Sequence, residues 1–204
     1  MSEQLVAKTH AATENASLWV QRFVDLIPAA GEVLDLACGS GRHARLLAAH
    51  GYPVLAVDRD AESLALAAAD GITTLQLDLE ANPGTDSQSA NQKSWPFADS
   101  RFAGIVVTNY LHRPLWQQLI DSLAAGGVLI YETFAHGNEQ FGKPSNPAFL
   151  LARGELLQVA QDHGLQILAF EDGYASQPKP AMVQRICARK PGDSIFPAQN
   201  LRLN

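Results

Sequence analysis

The sequence predicts an α/β fold, a three-layer αβα sandwich around a seven-stranded, mainly parallel sheet with an antiparallel C-terminal strand. Short, continuously apolar strand segments alternate with helical segments, which is typical of a parallel sheet covered on both faces. The last two strands are joined by DGYASQPKP (172–180) with no helix between them. A connection of that kind requires one of the two strands to run antiparallel to the other.

The expected elements follow one another in a regular order. A helical lead-in over residues 1–30 places Leu18, Trp19, Phe23 and Ile27 at helical spacing. Strands are expected at 33–37, 54–58, 72–79, 105–109, 128–134, 165–171 and 181–189. Helices are expected at 42–50, 61–69, 114–125 and 154–163. Glycines after the helices supply their stop signals. We therefore expect one domain over 31–190 and a C-terminal tail over 191–204.

Two segments interrupt this order. Residues 80–96 are polar and rich in turn formers, without apolar periodicity, and are interpreted as a surface insertion. Residues 135–149 directly follow the fifth strand. Because ligands of open parallel sheets bind beyond the carboxyl ends of the strands, a long loop at that place is expected to be functional.

Composition excludes several classes of protein. The 204 residues contain 15 Lys and Arg against 21 Asp and Glu, a net charge of −6, so no nucleic-acid partner is expected. Two cysteines do not make a disulfide scaffold and fit a reducing compartment, and scattered histidines give no metal-ligand spacing. With no apolar run near the length of a membrane span and no signal-peptide core, we expect no membrane partner and a cytoplasmic location.

The strongest local pattern is VLDLACGSGRHA at Val33–Ala44. Gly39 and Gly41 lie in a tight turn between a strand and a helix, where free N–H groups favour an anionic group. With Ala44 the turn also matches G-x-G-x-x-A, a pattern of dinucleotide-binding folds, so the glycines alone leave the cofactor open.

Asp35 distinguishes between a dinucleotide and S-adenosylmethionine as the cofactor. It stands four residues before Gly39, so its carboxylate should lie near the turn. A carboxylate there repels the pyrophosphate of a dinucleotide, whereas it suits the cationic amino group and sulfonium of S-adenosylmethionine. A structural acid that caps the turn is the alternative interpretation.

This segment closely resembles the first motif of the class I S-adenosylmethionine-dependent methyltransferases, and the resemblance extends over about residues 30–190. It implies a methyltransferase domain over 31–190 that transfers a methyl group to a small-molecule acceptor by in-line displacement. In its small size the chain resembles bacterial methyltransferases of the tellurite-resistance type. We expect it to be a monomer or a homodimer. The resemblance assigns to the methionine half of the cofactor Asp35, Ala37, Cys38, Gly39 and Gly41.

Acids also follow the next two strands. Asp58 lies 19 residues beyond Gly39, where an acid can accept both ribose hydroxyls, in dehydrogenases as well as methyltransferases. The resemblance makes Asp58 the ribose acid, with Arg59 near adenine. It further implies that Asp78 reaches the adenine amino group and that the backbone of Leu79 reaches a ring nitrogen.

The acceptor side is expected beyond strand four, at Asn109-Tyr110-Leu111-His112. Asn109 is assigned to cofactor binding, although the Asn-Pro-Pro-Tyr signature of amino-directed methylases is absent. His112 is the first candidate for a base or an acceptor-orienting group, and Tyr110 is the second catalytic candidate. A nicotinamide-dependent oxidoreductase and a non-catalytic S-adenosylmethionine-binding protein remain the alternatives.

Overall fold

A computed structural model describes residues 15–29, 31–80 and 95–192. Their strands are β1 (Val33–Leu36), β2 (Val54–Asp58), β3 (Ile72–Gln76), β4 (Phe102–Thr108), β5 (Leu123–Phe134), β6 (Gln166–Ala175) and β7 (Ala181–Arg189). The helices are α1 (Leu18–Phe23), α2 (Arg42–Ala49), α3 (Ala61–Ala67), α4 (Trp116–Asp121) and α5 (Glu155–Asp162). Short 3₁₀ turns lie at Val24–Leu26, Arg113–Leu115, Asn138–Gln140 and Pro147–Phe149.

The seven strands form one sheet in the order β3-β2-β1-β4-β5-β7-β6. The neighbours from β3 to β5 are parallel, and β7 is antiparallel to both β5 and β6. The predicted fold class is thereby confirmed. The chain moves outward from β1 to β3 and then returns to place β4 beside β1. That reversal opens a crevice beyond the carboxyl ends of β1 and β4.

Helices cover both faces of the sheet. On one face α1, α2 and α3 bury an apolar cluster that includes Trp19, Val20, Ala44, Leu47 and Leu64. On the other face α4 and α5 bury a second cluster through Leu119, Ile120, Leu156 and Ala160. Burial of this apolar area at about 25 cal/mol per Å² fixes the two layers on the sheet.

The expected helix over 114–125 is wrong at its C-terminal end. The helical turns stop at Asp121, and Leu123 pairs with Phe102 as the first residue of β5. The pairing register between β4 and β5 then shifts before Gly104 meets Val128. Burial of Leu123 against the sheet outweighs the helix propensity of the two alanines that follow it.

Strand ends differ by a few residues from those expected. β3 ends at Gln76, so Asp78 lies two residues beyond the strand and not at its last position. β4 ends at Thr108, which leaves Asn109 just beyond it. Asp78 and Asn109 therefore lie on loops held by the sheet, whereas Asp35 and Asp58 lie on the strands β1 and β2.

Three expected segments fall wholly or partly outside the described residues. They are half of the lead-in (1–14 and 30), the centre of the insertion (81–94) and most of the tail (193–204). Trp95 at the end of the insertion and Phe97 just after it are buried and belong to the core cluster under α4. In the described part of the chain, no helix has the length and apolarity needed to cross a membrane.

Candidate active site

A cleft opens at the carboxyl ends of the strands on the β1–β3 side of the sheet. Its lining residues come from the turn after β1 and from the loops after β2, β3 and β4: Ala37, Val57, Asp58, Arg59, Leu77, Asp78, Leu79, Glu80 and Tyr110. Five predicted cofactor residues therefore line one cleft. A nucleoside is the ligand expected from a ribose acid and an adenine wall at this place in the fold.

Asp58 connects the cleft to the glycine turn. Its Oδ2 accepts the backbone N–H of Gly39 at 2.8 Å, and its Oδ1 accepts the backbone N–H of Asp60 at 2.9 Å. Each carboxylate oxygen has two acceptor sites, so ribose hydroxyls can still bond to both. The two amides hold the carboxylate in one orientation, as a bidentate contact requires.

The two glycines of the turn have different structural roles. Gly41 has φ +79°, and a Cβ there would lie 2.5 Å from the Cβ of Ala67, so close packing of α2 on α3 requires glycine. Gly39 has φ +53°, and apart from its two chain neighbours no atom of the described residues lies within 4 Å of where its Cβ would be. The open space above Gly39 leaves room for a ligand to approach the backbone.

The turn offers fewer free N–H groups than the sequence suggested. The N–H of Gly39 is bonded to Asp58, and the N–H of Gly41 to the carbonyl of Cys38 at 3.0 Å. The expectation that free N–H groups at the helix start favour an anionic group therefore does not extend to these two amides. Their bonds stabilise the turn, because buried backbone donors require a partner.

Asp35 lies on β1 beneath the turn, with 1% of its surface exposed. Neither carboxylate oxygen accepts a hydrogen bond of good geometry from the described residues, although the N–H of Ala44 lies close enough to favour the charged form. Burial raises the pKa of Asp35 to about 7; the nearby N–H of Ala44 and the charge of Arg42 lower it, and Asp58 raises it. A buried acid without a partner is costly, so a cationic group brought to it would gain a strong interaction.

Cys38 is a buried thiol within the turn. Its Sγ lies 3.4 Å from the carbonyl oxygen of Gly39. Burial, followed by the charges of Asp35 and Asp58, raises the pKa of Cys38 to about 12. The side chain therefore stays protonated at neutral pH and is no nucleophile.

Two residues without a glycine's freedom adopt left-handed backbone at the crevice. Ala37 has φ +53° at the end of β1, and Asn109 has φ +56° at the end of β4. The N–H of Asn109 is held by the carbonyl of Glu132 at 2.9 Å. Such conformations cost about 1–3 kcal/mol and concentrate at functional sites. They turn the backbone at the ends of β1 and β4, beside the crevice.

The adenine candidates are distributed around the far side of the cleft. Asp78 is exposed and accepts the N–H of Glu80 at 3.0 Å, whereas Leu79 is buried. Arg59 is exposed, and its carbonyl is bonded by Gln76 at 3.1 Å. Glu80, which sequence reasoning placed only at the start of an insertion, also lines the cleft.

Tyr110 lies in the wall of the cleft on the β1–β3 side, called the nucleoside cleft below, and not in a separate acceptor pocket. Burial, the charge of Glu80 and a hydrogen bond to Glu80 raise the pKa of Tyr110, so its phenol stays protonated. Its carbonyl accepts the hydroxyl of the buried Tyr131 at 2.8 Å. Tyr110 is therefore suited to donate a hydrogen bond and not to remove a proton.

His112 is half-buried and precedes the 3₁₀ turn Arg113–Leu115. Its carbonyl accepts the N–H of Leu115 at 3.1 Å, but its side chain makes no capping hydrogen bond to that turn. The ring follows Asn109 and Tyr110 at the carboxyl end of β4. It is not among the groups that line the nucleoside cleft.

Arg113 fastens the loop after β5 to the segment that carries His112. Its guanidinium donates to both oxygens of Glu155, at 2.6 and 2.9 Å, and to the carbonyls of Ala148 and Leu150, at 2.8 and 2.9 Å. No pattern in the sequence indicates this pair, because Arg113 and Glu155 are 42 residues apart. The expected functional loop is thereby held at the crevice.

Comparison with known proteins gives a consistent result. Residues 33–127 match the family described as "Methyltransferase domain". A protein-L-isoaspartate O-methyltransferase from Chlorobaculum tepidum is 32% identical over 137 residues, which are 67% of this chain and 58% of that protein. Over residues 33–127 the chain is therefore similar to the methyltransferase family, and it spans less than two thirds of the length of this relative.

Solved structures agree with this assignment at the level of the fold. A methyltransferase from Methanosarcina mazei superposes with a TM-score of 0.61 at 16% identity, over 88% of this chain and 100% of that one. TehB from Haemophilus influenzae superposes with a TM-score of 0.61 at 20% identity, over 84% of this chain and 61% of that one.

The family match indicates S-adenosylmethionine as the cofactor to compare with the geometry of the site. The site fits it, because the unpartnered Asp35 carboxylate suits a cation and the space above Gly39 leaves the backbone approachable. The nicotinamide alternative is set aside by the family match. Among the described residues, no group of three or more His, Cys, Asp or Glu side chains could hold a metal ion.

Proposed function

We propose that this protein transfers the methyl group of S-adenosylmethionine to a small-molecule acceptor by in-line displacement. The observation that carries the proposal is the carboxylate of Asp35, buried beneath the turn with no hydrogen-bond partner among the described residues. A bound cation at this place satisfies a group that is otherwise costly to bury.

The proposed binding mode divides the cofactor between two parts of the site. Asp35, Ala37, Cys38 and Gly39 would border the methionine half, while Gly41 would act through the packing of the turn. Asp58 would accept the ribose hydroxyls. On the far side of the cleft, Arg59, Asp78 and Leu79 would border the adenine, with Tyr110 in the adjoining wall.

S-adenosylmethionine supplies an electrophilic methyl carbon: a lone pair of the acceptor forms a bond to it while the carbon–sulfur bond breaks. For such a displacement a protein mainly positions the two reactants and excludes water. The left-handed backbone at Asn109 aims the segment 109–112 at the crevice. His112 would take a proton from an acceptor that arrives protonated, and Tyr110 would orient groups by donating a hydrogen bond.

A small acceptor agrees with how the crevice is bordered. The Arg113 hydrogen bonds hold the 147–150 turn and the start of α5 close to the segment after β4. The net charge of −6 gives no support to a nucleic-acid partner. A monomer or homodimer in the cytoplasm remains our expectation.

A methyl-transfer screen tests the proposal. Purified protein is incubated with methyl-labelled S-adenosylmethionine and panels of thiols, amines, phenols and metalloid oxyanions. We expect label in one acceptor class, with S-adenosylhomocysteine formed in equal amount. Tight cofactor binding without transfer to any panel would instead support a non-catalytic binding protein.

Two histidine variants test the role of His112 once an acceptor is found. His112→Gln should lower turnover by about 10²-fold if the imidazole is the base, with little change in cofactor affinity. His163→Gln is the matched control, because His163 ends α5 away from the crevice. Unchanged turnover in His112→Gln would assign the histidine a structural role.

A further inference from the structure

Ser17, at the entry to α1, joins three parts of the fold. Its N–H donates to Nε2 of His43 at 3.1 Å, and its hydroxyl donates to Oε2 of Glu132 at 3.2 Å. The same hydroxyl accepts the N–H of Trp19 at 3.1 Å and so caps the helix. One small side chain is thus bonded to its own helix and to β5, while its backbone is bonded to α2.

His43 can hold Ser17 in only one protonation state. A backbone N–H only donates, so Nε2 of His43 must be the unprotonated nitrogen. Nδ1 then carries the proton and donates to the hydroxyl of Thr108 at 3.3 Å. Burial, with a smaller effect of the Arg42 charge, lowers the pKa of His43 to about 3, so this neutral form persists at physiological pH.

Glu132 is itself fixed by charges on the antiparallel side of the sheet. Its Oε2 lies 2.6 Å from Nε of Arg185, and Arg185 also pairs with Glu171 at 3.3 Å. Glu171 lies 4.0 Å from Arg22, near the end of α1. The short helix is therefore attached to the sheet near both of its ends, by Ser17 and by Arg22.

This attachment lies beside the turn assigned to the methionine half of the cofactor. His43 is in the first turn of α2, which begins directly after Gly41. Arg42 donates to the carbonyl of Asn15 at 3.4 Å; burial lowers the pKa of Arg42, and the charges of Glu132 and Asp35 partly oppose that shift. Residues 15–17 thus lie against the first turn of α2. Asp35 lies on the buried side of that same turn.

We propose that Ser17 is a positioning residue for the amino-acid end of the cofactor, held in place by His43 and Glu132. The inference rests on the proposed placement of the methionine half beside the turn. Because residues 15–17 are already fixed over the amino-acid end of the cofactor, binding does not have to order them and loses less entropy. It also keeps water from the charge pair between the cofactor's amino group and Asp35, and a charge pair is stronger where water is excluded.

The affinities for two natural nucleosides distinguish this positioning role from a general effect of Ser17 on ligand binding. S-adenosylhomocysteine and methylthioadenosine share the nucleoside and the sulfur, and only the first has an amino-acid tail. Ser17→Ala should raise the dissociation constant of S-adenosylhomocysteine about tenfold, as expected for lost interactions around a charged group. The dissociation constant of methylthioadenosine should stay within about twofold.

Three further variants control the measurement by calorimetry. Ser17→Thr keeps a capping hydroxyl and should retain the affinity for S-adenosylhomocysteine. Ser63→Ala removes another first-turn hydroxyl bonded to an acid, Asp60, and should change neither ligand. Glu132→Gln should selectively weaken the binding of S-adenosylhomocysteine. The double variant with Ser17→Ala should lose less binding free energy than the sum of the two single variants.

The results distinguish the inference from the cofactor placement on which it rests. Equal weakening of both ligands by Ser17→Ala, or no weakening of S-adenosylhomocysteine, would overturn the positioning role. If Asp58→Asn leaves the binding of both ligands intact, the placement of the nucleoside is wrong, whatever Ser17→Ala does. Thermal unfolding of each variant establishes that the fold is retained.

Discussion

The carboxylate of Asp58 and the backbone N–H of Gly39 are joined by a hydrogen bond of 2.8 Å. Through it, the residue that ends β2 fixes the turn that follows β1. The proposed ribose contact and the proposed methionine contact are therefore parts of one rigid unit, although 19 residues separate them. A change at Asp58 should act on both.

Replacing Asp58 should weaken the binding of the cofactor. Asp58→Asn removes the charge that accepts the ribose hydroxyls and confronts one of the two backbone donors with an amide N–H. We expect a loss of about 1–3 kcal/mol in the binding of S-adenosylhomocysteine by calorimetry. Asp60→Asn is the matched control, since asparagine caps α3 as well as aspartate does. An equal loss in both variants would contradict the ribose assignment.

The stability of the ligand-free protein should carry a signature of Asp35. Its pKa is about 7 in the folded chain against 3.8 for an ordinary aspartate, so between these values the folded state keeps a proton that the unfolded chain loses. This group therefore destabilises the fold as pH rises from about 4 to about 7, by roughly 4 kcal/mol. Asp35→Asn, which mimics the protonated form, should become more stable than the parent at pH 8 in denaturant titrations.

His43 acts with the opposite sign over a similar range. Its pKa is about 3 in the folded chain against 6.5 ordinarily, so the unfolded chain binds the extra proton and stability rises as pH rises toward 6.5. The two effects partly cancel in the parent protein. The difference between parent and Asp35→Asn isolates the aspartate, and a difference that does not vary with pH would refute the unpartnered acid.

The two glycines of the turn should respond differently to alanine. Gly41→Ala places a methyl group 2.5 Å from the Cβ of Ala67 at a left-handed φ, and we expect a loss of about 2–4 kcal/mol in the free energy of unfolding. Gly39→Ala meets no neighbouring atom and should cost about 1 kcal/mol, from its φ alone. Its main effect should be weaker cofactor binding. The reverse order of stabilities would contradict this division.

Loosening Arg113 should free the loop after β5. Arg113→Lys cannot bond Glu155 with two donors and two carbonyls at once, so amide hydrogen exchange should accelerate at residues 148–152. Because the pair is partly exposed, we expect only about 1 kcal/mol in global stability. Arg101→Lys, which breaks a similar fork to Glu32, is the control and should leave that loop unchanged.

Much of this site was readable from short-range sequence. The turn at Gly39 and the acid at Asp58 follow from the spacing of strand, turn and helix, because parallel strands bring their carboxyl ends to one edge of the sheet. For the same reason Asp58 and Asp78 could be placed together, and both line the cleft. The expected helix through residue 125 failed, because the pairing of Leu123 with Phe102 depends on a distant strand.

Long-range contacts account for what the sequence did not show. Tyr110 was expected to act on the acceptor, whereas the loop geometry after β4 places it in the nucleoside cleft beside Glu80. Likewise, nothing near Ser17 in the sequence indicates that it meets Glu132, 115 residues away. Such pairs depend on how α1 packs across the sheet.

The amino-acid sequence alone determined the fold class and the glycine turn with its flanking acids, since hydrophobic period and turn chemistry are local properties of the chain. The tertiary structure decided that Asp35 is enclosed without a partner, that the amides of the turn are already bonded, and that Ser17 and Arg113 fasten the borders of the site. Each of these depends on burial or on contacts between distant segments, and only the packed layers of the sheet and its helices supply them.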